Sequence, residues 1–225
     1  RMRVATGLAA QGADPAMQFA RIDAEIGRLD GLVSDLLDLS RLAPGAPPPA
    51  REPLDLQTLV ERSLTDARFE AEPLGKRVEW AAPPDAGAEH RITGDAHWVS
   101  AAIENVVRNA LRHTAPGSAV TLQLTAEEGG HALRVRDAGP GVPQDELQRI
   151  FEPFHRVAGQ AMSDGAGLGL AIAARAMAAH GGRIEARNLP GAGPDAAPVG
   201  LEVTLWWPAA DGGTTARSDA AFSPG

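Results

Sequence analysis

Asn105 and Asn109 stand four residues apart within AHWVSAAIENVVRNALRH (residues 96–113), a segment whose apolar residues recur at helical spacing. On a helix both carboxamides share one face, where neutral amide oxygens suit a Mg²⁺ whose charge is balanced by phosphates. Alone, two Asn at this spacing are more often surface or capping residues. A second group, Asp137-Ala138-Gly139-Pro140-Gly141-Val142-Pro143, directly follows the alternating segment His131–Arg136. Its glycines permit positive φ and let a ligand approach the backbone. An ionised Asp accepts hydrogen bonds only, so the exocyclic amino group of a purine would satisfy it. The plain alternative is a turn that merely reverses the chain.

A third group runs Gly165-Ala166-Gly167-Leu168-Gly169-Leu170-Ala171-Ile172. Here glycines lead into a helix whose free N-terminal amides and dipole suit phosphate oxygens. The G-x-G-x-G spacing is not the dinucleotide-binding fingerprint, and no G-x-x-x-x-G-K-[ST] loop occurs anywhere. Between the second and third groups lie Phe151-Glu152-Pro153-Phe154-His155-Arg156 and the polar stretch Val157–Asp164. This stretch could act as a mobile lid hinged on the two Phe residues, with Arg156 reaching a phosphate. An ordinary loop anchored by Phe151 and Phe154 is the simpler reading.

These groups need elements to hold them. In residues 16–42, Phe19, Ile22, Ile26, Leu29, Val33 and Leu36 recur at alternating spacings of three and four, a heptad seam. Leu32, Leu37 and Leu39 widen it, which suits a bundle helix better than a two-stranded zipper. Arg1–Ala10 could end a preceding helix, with Asp14 as cap and Pro15 at the next helix's first position. Two helices do not make a stable bundle, so a homodimer through helix 16–42 is expected; packing on the rest of the same chain is the alternative. The Pro-rich stretch 43–53 reads as a linker, and a second domain is expected over 54–208. That domain should contain helices near 56–72, 96–113 and 168–180. Its strands should lie at 77–80, 119–125, 131–136, 183–188 and 199–207. Five strands in mixed, non-alternating order with helices on one face predict an α+β two-layer sandwich. Residues 209–225 carry too little apolar material to pack and are expected to form a disordered tail.

Composition narrows the function. The 225 residues carry 21 Lys plus Arg against 29 Asp plus Glu, a net charge of −8. No global positive field is available for nucleic acid, and an anionic ligand needs local donors. Without any Cys, disulfides, thiol nucleophiles and thiolate zinc sites are excluded. No apolar run approaches the ~18 residues of a membrane span, so the piece is expected to be soluble.

The order of the groups and their separations is far more specific than any one of them. Together they resemble the dimerisation and catalytic region of two-component sensor histidine kinases, whose ATP-binding domain belongs to the GHKL (Bergerat-fold) superfamily. NVVRNALRHT matches that family's N box, DAGPGVP its G1 box, FEPFHRV its F box and GAGLGLAIA its G2 box. The likeness runs from about Met17 to Pro208 and includes SDLLDLSRL and AHGGRIEA. The resemblance implies ATP and Mg²⁺ as ligands. Asn109 would ligate the metal, with Asn105 beside it shaping the site. Asp137 would hold the adenine amino group, and Gly139 and Gly141, with Val142, would let the adenine pocket close. Arg112 and His113 would face phosphates, Gly165, Gly167 and Gly169 with Leu168 and Leu170 would line the phosphate end, and Phe154 and Arg156 complete the implied set. The partners implied are a second copy of the chain and the receiver domain of a response regulator. The parent would be an inner-membrane sensor with this part in the cytoplasm, attached to the membrane only through upstream segments.

One departure stands out. The family's H box, a His followed by an acidic residue, is absent. None of His90, His97, His113, His131, His155 and His180 has that setting. Because RMRVATGLA resembles the stretch just after the H box, the chain reads as cut within the first dimerisation helix. It is then expected to bind ATP without its own phosphoacceptor, whereas the intact parent would phosphorylate that His and pass the group to an Asp. A GHKL serine kinase of the anti-sigma type and a degenerate dimeric docking module are the alternatives.

Overall fold

The computed structural model describes residues 15–43, 45–81, 87–157, 166–191 and 197–210. The expected preceding helix, the Asp14 cap of the helix that follows it, the tail beyond 210 and most of the stretch read as a lid lie outside these residues. Helix α1 spans Pro15–Arg41, β1 Glu52–Asp55, α2 Leu56–Ala71 and β2 Arg77–Trp80. Strand β3 (Arg91–Gly94) leads into α3 (Ala96–His113), followed by β4 (Ala119–Glu127) and β5 (Gly130–Arg136). Helix α4 (Gly169–Ala179), β6 (Arg183–Leu189) and β7 (Gly200–Pro208) complete the order. Short 3₁₀ turns occupy Glu72–Leu74 and Arg149–Phe151.

Five strands form one mixed sheet in the order β2-β4-β5-β7-β6. Only β2 and β4 run parallel, the pair joined through α3; every other neighbour is antiparallel. Alternation sorts side chains by face. Val120, Leu122 and Leu124 of β4 align with Val135 and Leu133 of β5 and Val203 and Leu205 of β7, and all seven are buried beneath the helices. Above them α3 places Val99, Ile103, Val106 and Ala110, the stripe expected from sequence, at no more than 4% exposure. Asp95 caps α3 by accepting from the His97 amide at 3.0 Å, satisfying one of the helix's orphan donors. The other face of the sheet carries no helix among the described residues and bears Thr121, Gln123, Arg134, Arg136, Glu202 and Trp206. This is the two-layer α+β sandwich that the strand and helix order predicts.

Two strands were not legible in the sequence. β1 falls at the end of the stretch read as linker, and it pairs antiparallel with β3, Leu54 opposite Ile92. Strand pairing therefore already starts at Glu52, opposite Gly94, inside the stretch read as linker. A four-residue strand shows one or two inward side chains, too few for a period of two to declare itself.

Helix α1 divides the apolar stripe that its sequence spreads around it. Leu39 is 6% exposed against Leu168, Ala171 and Ile172, with Leu32 packed beside them, and the Arg175 guanidinium donates to the Leu39 carbonyl at 2.7 Å. Ile26, Leu29, Val33 and Leu36 of the heptad seam stay between 43% and 57% exposed. Of the residues that widen the seam, Leu32 and Leu39 thus pack against the chain's own α4 and Leu168, while Leu37 stays exposed like these four seam residues.

Candidate functional site

Four elements converge on a cleft of about 310 Å³: α3, the start of α4, the loop after β5, and the side of α1. β5 ends by delivering Asp137 to the cleft floor. Because β7 lies beside β5, the Leu201 amide donates to Asp137 Oδ1 at 3.0 Å, and the Gly139 amide donates to the same oxygen at 2.9 Å. One carboxylate oxygen is therefore committed to the backbone and fixes the group's orientation. The side chain is 6% exposed, and burial pushes its pKa up against the opposing effect of those two amides and of His113. Burial pushes the His113 imidazole down, with Arg112 and Lys76 adding to it and Asp137 opposing it.

The glycine loop beyond Asp137 is pinned from a residue that no sequence motif flagged. Asn188 on β6 accepts from the Val142 amide at 2.9 Å and donates to the Val142 carbonyl at 2.6 Å. Gly141 lies at φ 70°, and a Cβ there would come within 2.7 Å of Asn188 Oδ1. At this position only glycine both adopts the turn and leaves room for the clamp. Thr114, just beyond α3, accepts from the Ala138 amide at 3.3 Å and ties the loop to the helix end.

On α3, Asn105 and Asn109 both line the cleft, but they are not equivalent. Asn105 Nδ2 donates to the Ala101 carbonyl at 2.9 Å, and its Oδ1 faces Gly169 so closely that a Cβ on Gly169 would lie 2.7 Å away. Asn105 thus limits how near α4 comes to α3, and Asn109, one turn on, lines the same cleft. The first turn of α4 has no side-chain cap among the described residues. Its first amides therefore open toward the cleft end, beside the Asn105 Oδ1 that faces Gly169. Gly167, at φ 73°, accepts from the Phe154 amide at 2.9 Å, which joins the Phe151–His155 loop to the glycine loop. His155 in turn hydrogen-bonds the Glu146 carboxylate.

Of the residues singled out by sequence, Asn105, Asn109, Arg112, His113, Asp137, Gly141, Val142, Arg156, Gly167, Leu168, Gly169 and Leu170 all line the cleft. Gly139 acts from behind it, through its amide on Asp137. Phe154 is not brought in: it is 61% exposed at φ 64°, and its backbone rather than its ring serves the loop. Gly165 lies outside the described residues. The structure adds Arg108, which its spacing of four from Arg112 could have suggested, and Arg28, Gly31, Leu32 and Asp35 of α1, which nothing in the sequence pointed to. Arg28, Arg108, Arg112 and Arg156 against Asp35 and Asp137 give the cleft a positive excess inside a chain of net charge −8. These are the local donors an anionic ligand needs. The amides of α4, the amide side chain of Asn109 and a buried, acceptor-only Asp137 fit a polyphosphate at one end and a hydrogen-bond donor at the other.

Comparisons with known proteins agree with this geometry. Residues 94–211 match the family model described as histidine kinase-, DNA gyrase B-, and HSP90-like ATPase. The chain is 37% identical over 196 residues to the sensor protein PfeS of Pseudomonas aeruginosa, covering 87% of this chain and 41% of that one. Sensor histidine kinase CpxA of Escherichia coli is 31% identical over 210 residues, 92% of this chain and 43% of CpxA. Among solved structures, full-length ShkA in complex with AMPPNP is 31% identical with a TM-score of 0.68, covering 85% of this chain and 39% of ShkA. The chain spans about two fifths of the length of these curated relatives. With that match over more than half its residues, the chain belongs to the histidine kinase-, DNA gyrase B-, and HSP90-like ATPase family and carries the ATPase domain of a two-component sensor histidine kinase.

Proposed function

We propose that the chain is the catalytic core of a sensor kinase that binds Mg²⁺-ATP in the cleft between α3 and α4 and presents the γ-phosphoryl group to a histidine. Asp137 receives the adenine amino group, Asn109 holds the metal, and the uncapped α4 amides with Arg112 and Arg156 take the phosphates. When bound, Mg²⁺ neutralises charge on the phosphates; the chain's own groups supply position and hydrogen bonds, which is most of what phosphoryl transfer requires. The observation that carries this reading is the convergence of a backbone-fixed Asp137, an Asn-bearing face of α3 and a free helix N-terminus on one cleft.

The acceptor is proposed to be a His in the larger parent protein, because none of the six His here has the H-box setting. From there the phosphoryl group would pass to an Asp of a response-regulator receiver domain, and this fragment would bind ATP without autophosphorylating. The open seam of Ile26, Leu29, Val33 and Leu36 supports pairing of α1 with the same helix of a second copy. Residues 15–42 would then be the dimerisation segment and 52–208 the ATP-binding domain. Among the described residues no helix is long and apolar enough to cross a membrane. Attachment of the parent to an inner membrane would rest on segments outside this sequence, with this portion in the cytoplasm.

Calorimetric titration with a non-hydrolysable ATP analogue, with and without Mg²⁺, tests the reading. Saturable, Mg²⁺-dependent binding that Asn109→Ala weakens by about tenfold or more is expected. Absence of binding by folded protein would remove it.

A further inference from the structure

The cleft has a wall that nucleotide-site motifs do not provide. Helix α1 lies along it, anchored by Leu39 against Leu168, Ala171 and Ile172 and by the Arg175 bond to the Leu39 carbonyl. One turn before Leu39, Asp35 lines the cleft together with Asn105, Arg108, Asn109 and Arg112. Those two arginines supply attraction to the Asp35 carboxylate, opposing the burial and the neighbouring Asp38 that push its pKa up. Arg108 also lies 3.9 Å from Glu70 of α2, so it already shares its charge with one carboxylate. A carboxylate thus sits where the anionic end of a ligand would have to go.

Resting on the nucleotide reading above, we infer that Asp35 is an internal stand-in for phosphate: docked α1 presents its carboxylate to Arg108 and Arg112, and a polyphosphate must displace it to bind. Asp35 then sets the site's preference by ligand charge. The more phosphate a ligand carries, the more of these arginines it claims, and the more it drives α1 off α4. The same exchange couples nucleotide occupancy to the position of the helix that carries the open apolar seam. Nothing covalent changes; one anion replaces another at the same two cations.

Titration of the 225-residue chain and its Asp35→Asn variant with adenosine, ADP and Mg²⁺-ATP separates the possibilities. Asp35→Asn is expected to tighten Mg²⁺-ATP about fivefold, ADP less, and adenosine not at all. Equal tightening of all three, or no change for Mg²⁺-ATP, overturns the inference. If adenosine and Mg²⁺-ATP bind neither protein, the nucleotide reading itself falls with it. Hydrogen exchange gives an independent reading: amides of residues 32–41 should exchange faster with Mg²⁺-ATP than with adenosine in the wild-type chain. Equal exchange with the two ligands counts against displacement.

Discussion

Asp137, one residue past the end of β5, and Glu202, on the neighbouring β7, are buried carboxylates, 6% and 1% exposed, on opposite sides of the same sheet. Glu202 faces the side without helices and receives Arg136 at 2.5 Å and Arg187 at 2.6 Å. Burial alone would raise its pKa, but the hydrogen bonds and charges of the two guanidiniums outweigh it and hold the group below the usual carboxylate range. Asp137 faces the cleft with two backbone amides on one oxygen and the His113 imidazole nearby, and burial holds its pKa up against them. The difference is instructive. A carboxylate that braces a sheet has its charge matched by cations. One that waits for a ligand has its position fixed by dipoles and its charge left unmatched, so the protein carries a cost that the ligand's donor relieves.

That contrast can be broken by exchanging each carboxylate for its amide. The largest effect is expected from Asp137→Asn. It removes a charged acceptor and presents an amide that can be turned the wrong way, so adenine nucleotide affinity should fall by about 10- to 100-fold. Thermal stability of the unliganded protein should hold or rise, since a desolvated charge has gone. A calorimetric titration beside a melting curve checks both, and loss of fold together with binding would mean that Asp137 is structural like Glu202. Glu202→Gln should do the reverse. Stability should drop by about 1–3 kcal/mol while nucleotide affinity stays within about twofold, as urea unfolding and titration would show.

The smallest effect, and the one that sharpens the comparison most, is in pH. Glu202, with its folded pKa lowered, contributes stability that is present above the unfolded Glu pKa and lost as pH falls through the folded value. Asp137, with its folded pKa raised, contributes stability that is present below the unfolded Asp pKa and lost as pH rises through the folded value. Unfolding free energy measured from pH 3 to 7 should therefore lose part of its acid-side fall in Glu202→Gln. In Asp137→Asn it should rise more steeply with pH than in the wild type. Identical slopes in both variants would contradict the assignment of the two environments.

Much of the cleft could be read from the chain because local physics places it. Asn105 and Asn109 share a helix face through spacing alone, the glycines around 139–141 and 167–169 mark where backbone must turn or approach closely, and Asp137 follows a segment that alternates like a strand. What spacing cannot convey is which way an amide points. Asn105, expected beside Asn109 as a shaper of the site, has its Oδ1 turned to Gly169 where α4 meets α3, and Phe154, read as a hinge ring, is joined to the glycine loop through its backbone. The short pair β1 and β3 escaped notice because Leu54 and Ile92 acquire meaning only opposite each other. Asn188, an unremarked polar residue in a strand pattern, becomes the clamp on Val142 only once β6 has been brought beside β7 and the loop folded over it.

The sequence by itself determined the helices and the strands of the five-stranded sheet, the layered α+β class and the residue types at the cleft, because periodicity, capping and glycine placement act over a few residues. The tertiary structure decided the strand order that sets Leu201 against Asp137, the burial that separates Asp137 from Glu202, and the placement of Asp35 against the arginines of α3. Each of these joins residues far apart in the chain. Their energies depend on distance and on exclusion of water, quantities that exist only after the chain has closed on itself.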